Sequence, residues 1–158
     1  MQQGPQNCKT QRATAQLLWG VGMLLCGCSI YLLFRSKTIN LYQWSSMIGC
    51  SDVIDAVRMS IADWKIPDFI RFSLPDGLYC ASYILLMDAV WPDNAKYRGL
   101  AISLIPLIAI AHELAQFFGF AKGTFDICDL LCYAAPLVVY YFSKKYHFII
   151  NNLNFKFL

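Results

Sequence analysis

The chain has 158 residues, of which 58% are hydrophobic and 15% charged, and its formal net charge is +3. A soluble domain is typically about half apolar and a quarter charged, so this balance argues against a soluble protein. The apolar residues gather in blocks, which indicates an integral membrane protein, and no basic patch with interleaved aromatics points to nucleic acid.

Residues 1–13 are polar, carry Lys9 and Arg12, and read as a short disordered arm. The first apolar block, residues 17–34, is about long enough to cross a bilayer. It is long for a signal peptide and no small-x-small site follows in FRSKTIN, so it is expected to stay as a signal-anchor helix. Residues 35–70 form the longest connection. Within it Val53, Val57, Ile61 and Trp64 recur at helical spacing, with Asp52, Asp55, Arg58 and Asp63 on other faces. This pattern suits an amphipathic helix in the extracytoplasmic interface, with an ordinary loop helix as the alternative.

Pro67-Asp68 and Pro75-Asp76 are helix-start signals. The second membrane helix is expected over residues 76–91, short at about 1.5 Å per residue for a hydrocarbon core of about 30 Å. The third runs over 100–120, with a kink at Pro106 that neighbouring helices tolerate. The fourth runs over 126–142, and residues 144–158 form an aromatic tail that lies on the membrane surface. The fold class is therefore all-α: four transmembrane helices and an amphipathic extracytoplasmic segment. Lys9, Arg12, Lys96, Arg98, Lys144 and Lys145 collect at one side, and Arg35, Lys37, Arg71 and Lys122 at the other. Taking the first set as cytoplasmic puts both termini inside.

The seven cysteines are odd in number, include no CxxC pair and mostly lie in apolar blocks, where they serve as small packing residues. Cys50 is expected to be the exposed extracytoplasmic thiol.

The stretch HELAQFFGFAKGTFDICD, residues 112–129, concentrates ionisable groups between two apolar blocks. Such groups are costly at membrane depth and usually face a protein interior or a wet cavity. Glu113 and Gln116 share a helix face. Asp126, Asp129, Tyr133, Pro136 and Tyr140 form one stripe on the fourth helix, and Asp76, Tyr79 and Tyr83 another on the second. Converging, these stripes and His112 make an acidic pocket with a tyrosine-lined floor, for which Arg71 and Lys122 are the available cations. The plainer alternatives are that Asp76 and Asp126 only start helices, that His112 is a packed or interfacial histidine, and that the cluster is a structural hydrogen-bond knot. Asp88 lies near the other end of its helix, apart from this cluster. The HExxH spacing of zinc hydrolases is absent, no metal set is assigned, and no cofactor is called for.

Pro75-Asp76 opening a helix, Glu113-x-x-Gln116 late in the next, a Gly-containing turn, and Asp126-x-x-Asp129 opening the last resemble the VanZ-like family of small bacterial membrane proteins. The resemblance covers roughly residues 70–140. Asp76, Glu113, Gln116 and Asp129 match residue by residue. The family's usual turn Arg is replaced by Lys122-Gly123-Thr124, its later Asn and Gly by Tyr133 and Pro136, and its Lys-His pair by the region of Gly77 and Tyr79. The founding members are associated with resistance to teicoplanin. The resemblance thus implies a bacterial inner-membrane protein of the cell envelope, in a divergent branch.

Three functional readings follow. The leading one is a non-enzymatic protein binding a lipid, an envelope precursor or a lipophilic antibiotic through Asp76, Glu113, Gln116, Asp126 and Asp129, with Tyr79, Tyr83, Tyr133 and His112 around them. The second is an oligomeric sensor or channel subunit of a stress or phage-defence system, with a homo-oligomeric or protein partner and small residues such as Gly20, Gly22 and Gly27 at helix contacts. The third is an enzyme acting on a lipid-linked phosphate or glycan, with carboxylates suited to Mg²⁺ or Ca²⁺.

Overall fold

The computed structural model describes the backbone of residues 5–154 and the side chains of residues 10–146. Every regular element is a helix: α1 (Pro5–Phe34), α2 (Asn40–Met47), α3 (Ser51–Ser60), α4 (Asp68–Phe72), α5 (Leu74–Val90), α6 (Arg98–Phe117) and α7 (Ile127–Asn154). The all-α expectation holds. Three stretches, Thr10–Phe34, Arg98–Phe117 and Ile127–Tyr146, are long and apolar enough to cross a bilayer. The fourth expected span, α5, has 17 residues, or about 26 Å of helix, and falls short of them.

Within the described residues, both terminal regions are more helical than their sequence suggests. The expected disordered arm is helical from Pro5 onward; proline suits a first helical position, and residues 6–16 contain no breaker. The expected surface tail continues α7 without interruption to Asn154, because SKKYHFIINN offers neither Gly nor Pro to end it. Residues 1–4 and 155–158 lie outside the described backbone.

The short helix α5 is the centre of the bundle. It packs on α1 most extensively, then on α7 and α6. Small residues allow the close approaches. A Cβ added at Gly27 would touch the Pro75 carbonyl at 3.4 Å, and one at Gly20 would meet the Leu86 side chain at 2.9 Å. Gly27 near Pro75 and Gly20 near Leu86 also show that α1 and α5 run antiparallel along most of α5. On the other side of α5, a Cβ at Gly77 would come within 3.2 Å of the Cys132 Cβ and carbonyl, so α5 and α7 touch nearly backbone to backbone there.

The interior mixes apolar and polar side chains: Ile84, Ile102, Cys80 and Tyr42 are buried alongside acids and serines. Buried side chains among the described residues include Asp88, Glu113, Ser45, Ser73, Ser82 and Ser103, whereas Leu18, Trp19, Leu25, Ile108, Leu131, Val139 and Phe142 are exposed. Water-soluble cores rarely bury carboxylates unless they are paired. An apolar exterior of this extent is consistent with a lipid solvent.

Helices α2 and α3 lie across the Arg35 end of α1, and α3 is held there by Arg58, which donates to the Leu33 carbonyl at 3.1 Å and to the Arg35 carbonyl. Trp44, Met47, Ile48, Val53, Met59 and Trp64 remain exposed on this segment. This segment therefore presents apolar side chains outward.

Candidate functional site

The cluster at one end of α5 is built on Asp76. Pro75 and Asp76 occupy the first turn of that helix, where proline has no N–H to lose and a carboxylate faces the positive end of the helix dipole. The two oxygens of Asp76 accept from different helices, Oδ1 from the Tyr31 hydroxyl of α1 and Oδ2 from the Tyr133 hydroxyl of α7, both at 3.3 Å. Tyr133 in turn lies within electrostatic range of Asp76, Asp129 and Glu113. The structure therefore gathers Asp76, Glu113, Asp129 and Tyr133 at one level.

Glu113 is buried, and its Oε2 accepts from the backbone N–H of Asp126 at 3.4 Å. It ties the end of α6 to the start of α7. Asp126 acts as a cap: its Oδ1 accepts from the Cys128 N–H at 2.8 Å, the bond that satisfies an orphan donor of a helix first turn. Its carboxylate is thus occupied by the helix start, the plainer of the two expectations for it. Asp129 differs, since its Oδ1 is buried and has no hydrogen-bond partner.

The cation beside these acids is Arg35, not Arg71 or Lys122. Arg35 donates to the Tyr31 hydroxyl at 3.4 Å and to the Phe72 carbonyl at 3.3 Å, and its guanidinium stacks on both of those rings at 4.8 Å. It acts electrostatically on Asp76. Arg71 instead donates to the Phe34 carbonyl at 2.7 Å, and Lys122 is exposed in the α6–α7 turn. Tyr31 on α1 and Arg35 just past its end are four apart, and the Arg35 N–H still donates to the Tyr31 carbonyl, so the two share a face. That spacing was the available signal that helix one belongs to the site.

Other expected members point elsewhere. His112 is exposed, and its Nδ1 lies 3.1 Å from Nε2 of Gln116. Gln116 packs against the turn, where Gly123 has φ +135 and a Cβ would come within 2.8 Å of the Gln116 amide. Tyr79 donates toward Cys28 Sγ at 3.6 Å, and Tyr83 donates to the Ala101 carbonyl at 2.5 Å. Tyr79 packs on the Tyr31 ring at 5.8 Å between centroids, Tyr83 turns to α6, and of the three expected tyrosines Tyr133 is the one that donates to Asp76. Among the described residues no group of three or more His, Cys, Asp or Glu side chains is placed to hold a metal ion.

A second cluster lies at the other end of α5, on Asp88, whose side chain is 1% exposed. Its Oδ1 accepts from Tyr140 at 2.6 Å and from Arg98, and its Oδ2 accepts from Gln16 and pairs with Lys144 at 3.0 Å. Arg98 also holds Asp93 at 2.5 Å. This is the more fully connected of the two clusters. The basic residues expected to share one side of the bundle, Arg12, Arg98 and Lys144, do meet here.

No family model, characterised protein or solved structure matches the chain.

Proposed function

We propose that the chain is a non-enzymatic integral membrane protein whose Asp76–Glu113–Asp129 cluster binds the polar end of an amphiphilic ligand. In this reading α5 crosses the bilayer as the fourth helix and both termini are cytoplasmic. The membrane is a bacterial plasma membrane, and the chain is a divergent relative of the VanZ-like proteins. The ligand is a lipid, an envelope precursor or a lipophilic antibiotic presenting an amine or several hydroxyls.

One observation carries the proposal. Asp129 keeps a buried carboxylate oxygen without a partner, beside Asp76, whose oxygens take only two long bonds from tyrosines. A buried acceptor left open costs about 1–3 kcal/mol, and more when charged. An ammonium or sugar hydroxyl supplies the missing donor.

The test uses purified protein in nanodiscs of zwitterionic lipid, with thermal unfolding followed after addition of a long-chain alkyl amine, an alkyl glucoside or an alkyl sulfate. The amine and the glucoside should raise the midpoint and the sulfate should not. Asp129→Asn and Glu113→Gln should remove the response while the protein stays folded. Variants that respond like the parent would reduce the cluster to a structural knot.

A further inference from the structure

Beside Asp88 a groove of about 270 Å³ runs along α5 between α1 and α7, two helices that flank α5 without packing extensively on each other. Ala81, Ile84 and Leu85 form its floor, Met23 and Val139 its apolar walls, and Arg12 and Lys144 its rim. Val139 is 63% exposed, so the groove opens sideways, toward the surface that meets lipid.

The rim has more donors than its carboxylate accepts. Both oxygens of Asp88 are filled by Tyr140, Arg98, Gln16 and Lys144. Arg12 is left 4.0 Å from Oδ2, beyond hydrogen-bond distance, and is 58% exposed. A lysine carries three donors, of which Asp88 engages one of Lys144. On the α6 side, the buried Nε of Arg98 has no partner. A cationic rim with spare donors above an apolar trough has the shape and charge of a receptor for an anionic amphiphile.

We infer that this groove holds a membrane lipid with an anionic phosphate head group. The phosphate sits between Arg12 and Lys144, and one acyl chain runs along Met23, Ala81 and Val139. Charge complementarity selects this occupant. Free phosphate suits the rim but leaves the trough empty, and a zwitterionic lipid brings its own ammonium against the two cations. Charge-assisted bonds to phosphate are roughly twice as strong as neutral ones, and desolvated apolar walls hold the chain. The site is at the opposite end of α5 from the Asp76 cluster and does not depend on the function proposed for it.

Native mass spectrometry and thermal unfolding, with phosphatidylglycerol, phosphatidylcholine or inorganic phosphate added, test the inference. Phosphatidylglycerol should bind at least about tenfold more tightly than phosphatidylcholine, and Arg12→Gln should lower its affinity by about tenfold, one charge-assisted bond. Val139→Trp fills the trough, keeps every cation, and should lower lipid binding to a similar extent with helix content unchanged. Lys145→Gln should leave lipid binding as it is. Equal affinity for the two lipids, or phosphatidylglycerol binding unmoved by Arg12→Gln and Val139→Trp alike, would overturn the site. Inorganic phosphate that shifts the midpoint as strongly as the lipid would reduce it to an anion site without a chain.

Discussion

The Tyr140 hydroxyl donates to Asp88 Oδ1 at 2.6 Å, joining α7 to the buried acid at one end of α5. Seven residues earlier on the same face of α7, Tyr133 makes the equivalent donation to Asp76 at the other end, at 3.3 Å. Seven residues is nearly two helical turns, so a single stripe of α7 meets both carboxylates of α5. The two ends are unequal. Asp88 is enclosed by short bonds and cations, whereas Asp76 is held by two long bonds beside the unpartnered oxygen of Asp129. The Asp88 end is built as a fixed joint, and the Asp76 end leaves acceptor capacity open.

Asp88→Ala should therefore be among the most damaging single changes in the bundle. It leaves Arg98 and Lys144 at a site where the carboxylate was 1% exposed, and removing one partner of a buried pair typically costs about 3–5 kcal/mol. Asp93→Ala breaks the other ion pair of Arg98 but removes a carboxylate that is 62% exposed, so its cost should stay below about 1 kcal/mol. Reversible unfolding in mixed micelles by added SDS measures both. Similar losses would show that the ion pairs at this end are interchangeable, against the reading of Asp88 as the hub.

Helix packing should discriminate sharply between two glycines. A Cβ at Gly77 comes within 3.2 Å of the Cys132 Cβ and carbonyl, whereas one at Gly22 meets nothing within 4 Å. Backbone cannot move aside as a flexible side chain can, so Gly77→Ala should force α5 and α7 apart and cost about 1–3 kcal/mol. Gly22→Ala should be neutral or stabilise by up to about 1 kcal/mol, since glycine in a helix interior is unfavourable relative to alanine. The same unfolding assay reads the difference, and a tolerated Gly77→Ala would contradict the close contact.

How far the sequence disclosed this arrangement depended on the range of the interaction. Apolar length and periodicity are local, and they mark the four long helices and the helix within 51–64, whereas α2 carries no such signal. Apolar length alone could not show that α5, the shortest of the long helices, sits at the centre, because that follows from its glycine and serine contacts with α1 and α7. Asp88 was recognised as separate from the Asp76 group, but its partners Gln16 and Lys144 lie 72 residues before it and 56 after it in the chain, beyond any pattern in a single window. Arg35 is not the cation that sequence proximity points to at the Asp76 end, since Arg71 and Lys122 lie nearer the acids along the chain. Stacking on Tyr31 and Phe72 brings it across from α1 instead.

The proposed orientation has a direct chemical readout. Cys50 is exposed in the α2–α3 connection, at the Arg35 end of α1 and so on the side of Asp76. If that side is extracytoplasmic, a membrane-impermeant maleimide should label Cys50 in intact cells, with Cys50→Ser as the blank. A Cys introduced at exposed Lys96, on the turn beside Arg98, should react only after permeabilisation. The reverse pattern would invert the topology and move the acidic cluster to the cytoplasmic face.

The α2–α3 segment should loosen in acid. Lys37 donates to Asp55 Oδ2 at 2.6 Å and Tyr42 donates to Oδ1 at 3.0 Å. The Lys37 bond foremost holds the Asp55 carboxyl below its ordinary value, and Asp55 in turn holds Lys37 above its own. A depressed carboxylate contributes stability that is fully present above its unfolded value, about 4, and is lost as pH falls through the lower folded one. For the raised lysine the loss comes instead as pH rises through its folded value, so the bridge persists across the neutral range and opens at both extremes. Arg58 also helps to lower the Asp55 carboxyl, but it is bonded to the Leu33 and Arg35 carbonyls and so keeps α3 attached to the end of α1, and the expected change is local. Hydrogen exchange over residues 40–60, corrected for intrinsic rates, should show protection falling in acid while α5 is unchanged. Asp55→Asn should reproduce the acid behaviour at neutral pH and flatten the profile, and high salt should weaken the bridge because the pair lies at the surface. Protection that stays the same in acid and in Asp55→Asn would assign the docking of α3 to Arg58 and the Tyr42 ring alone.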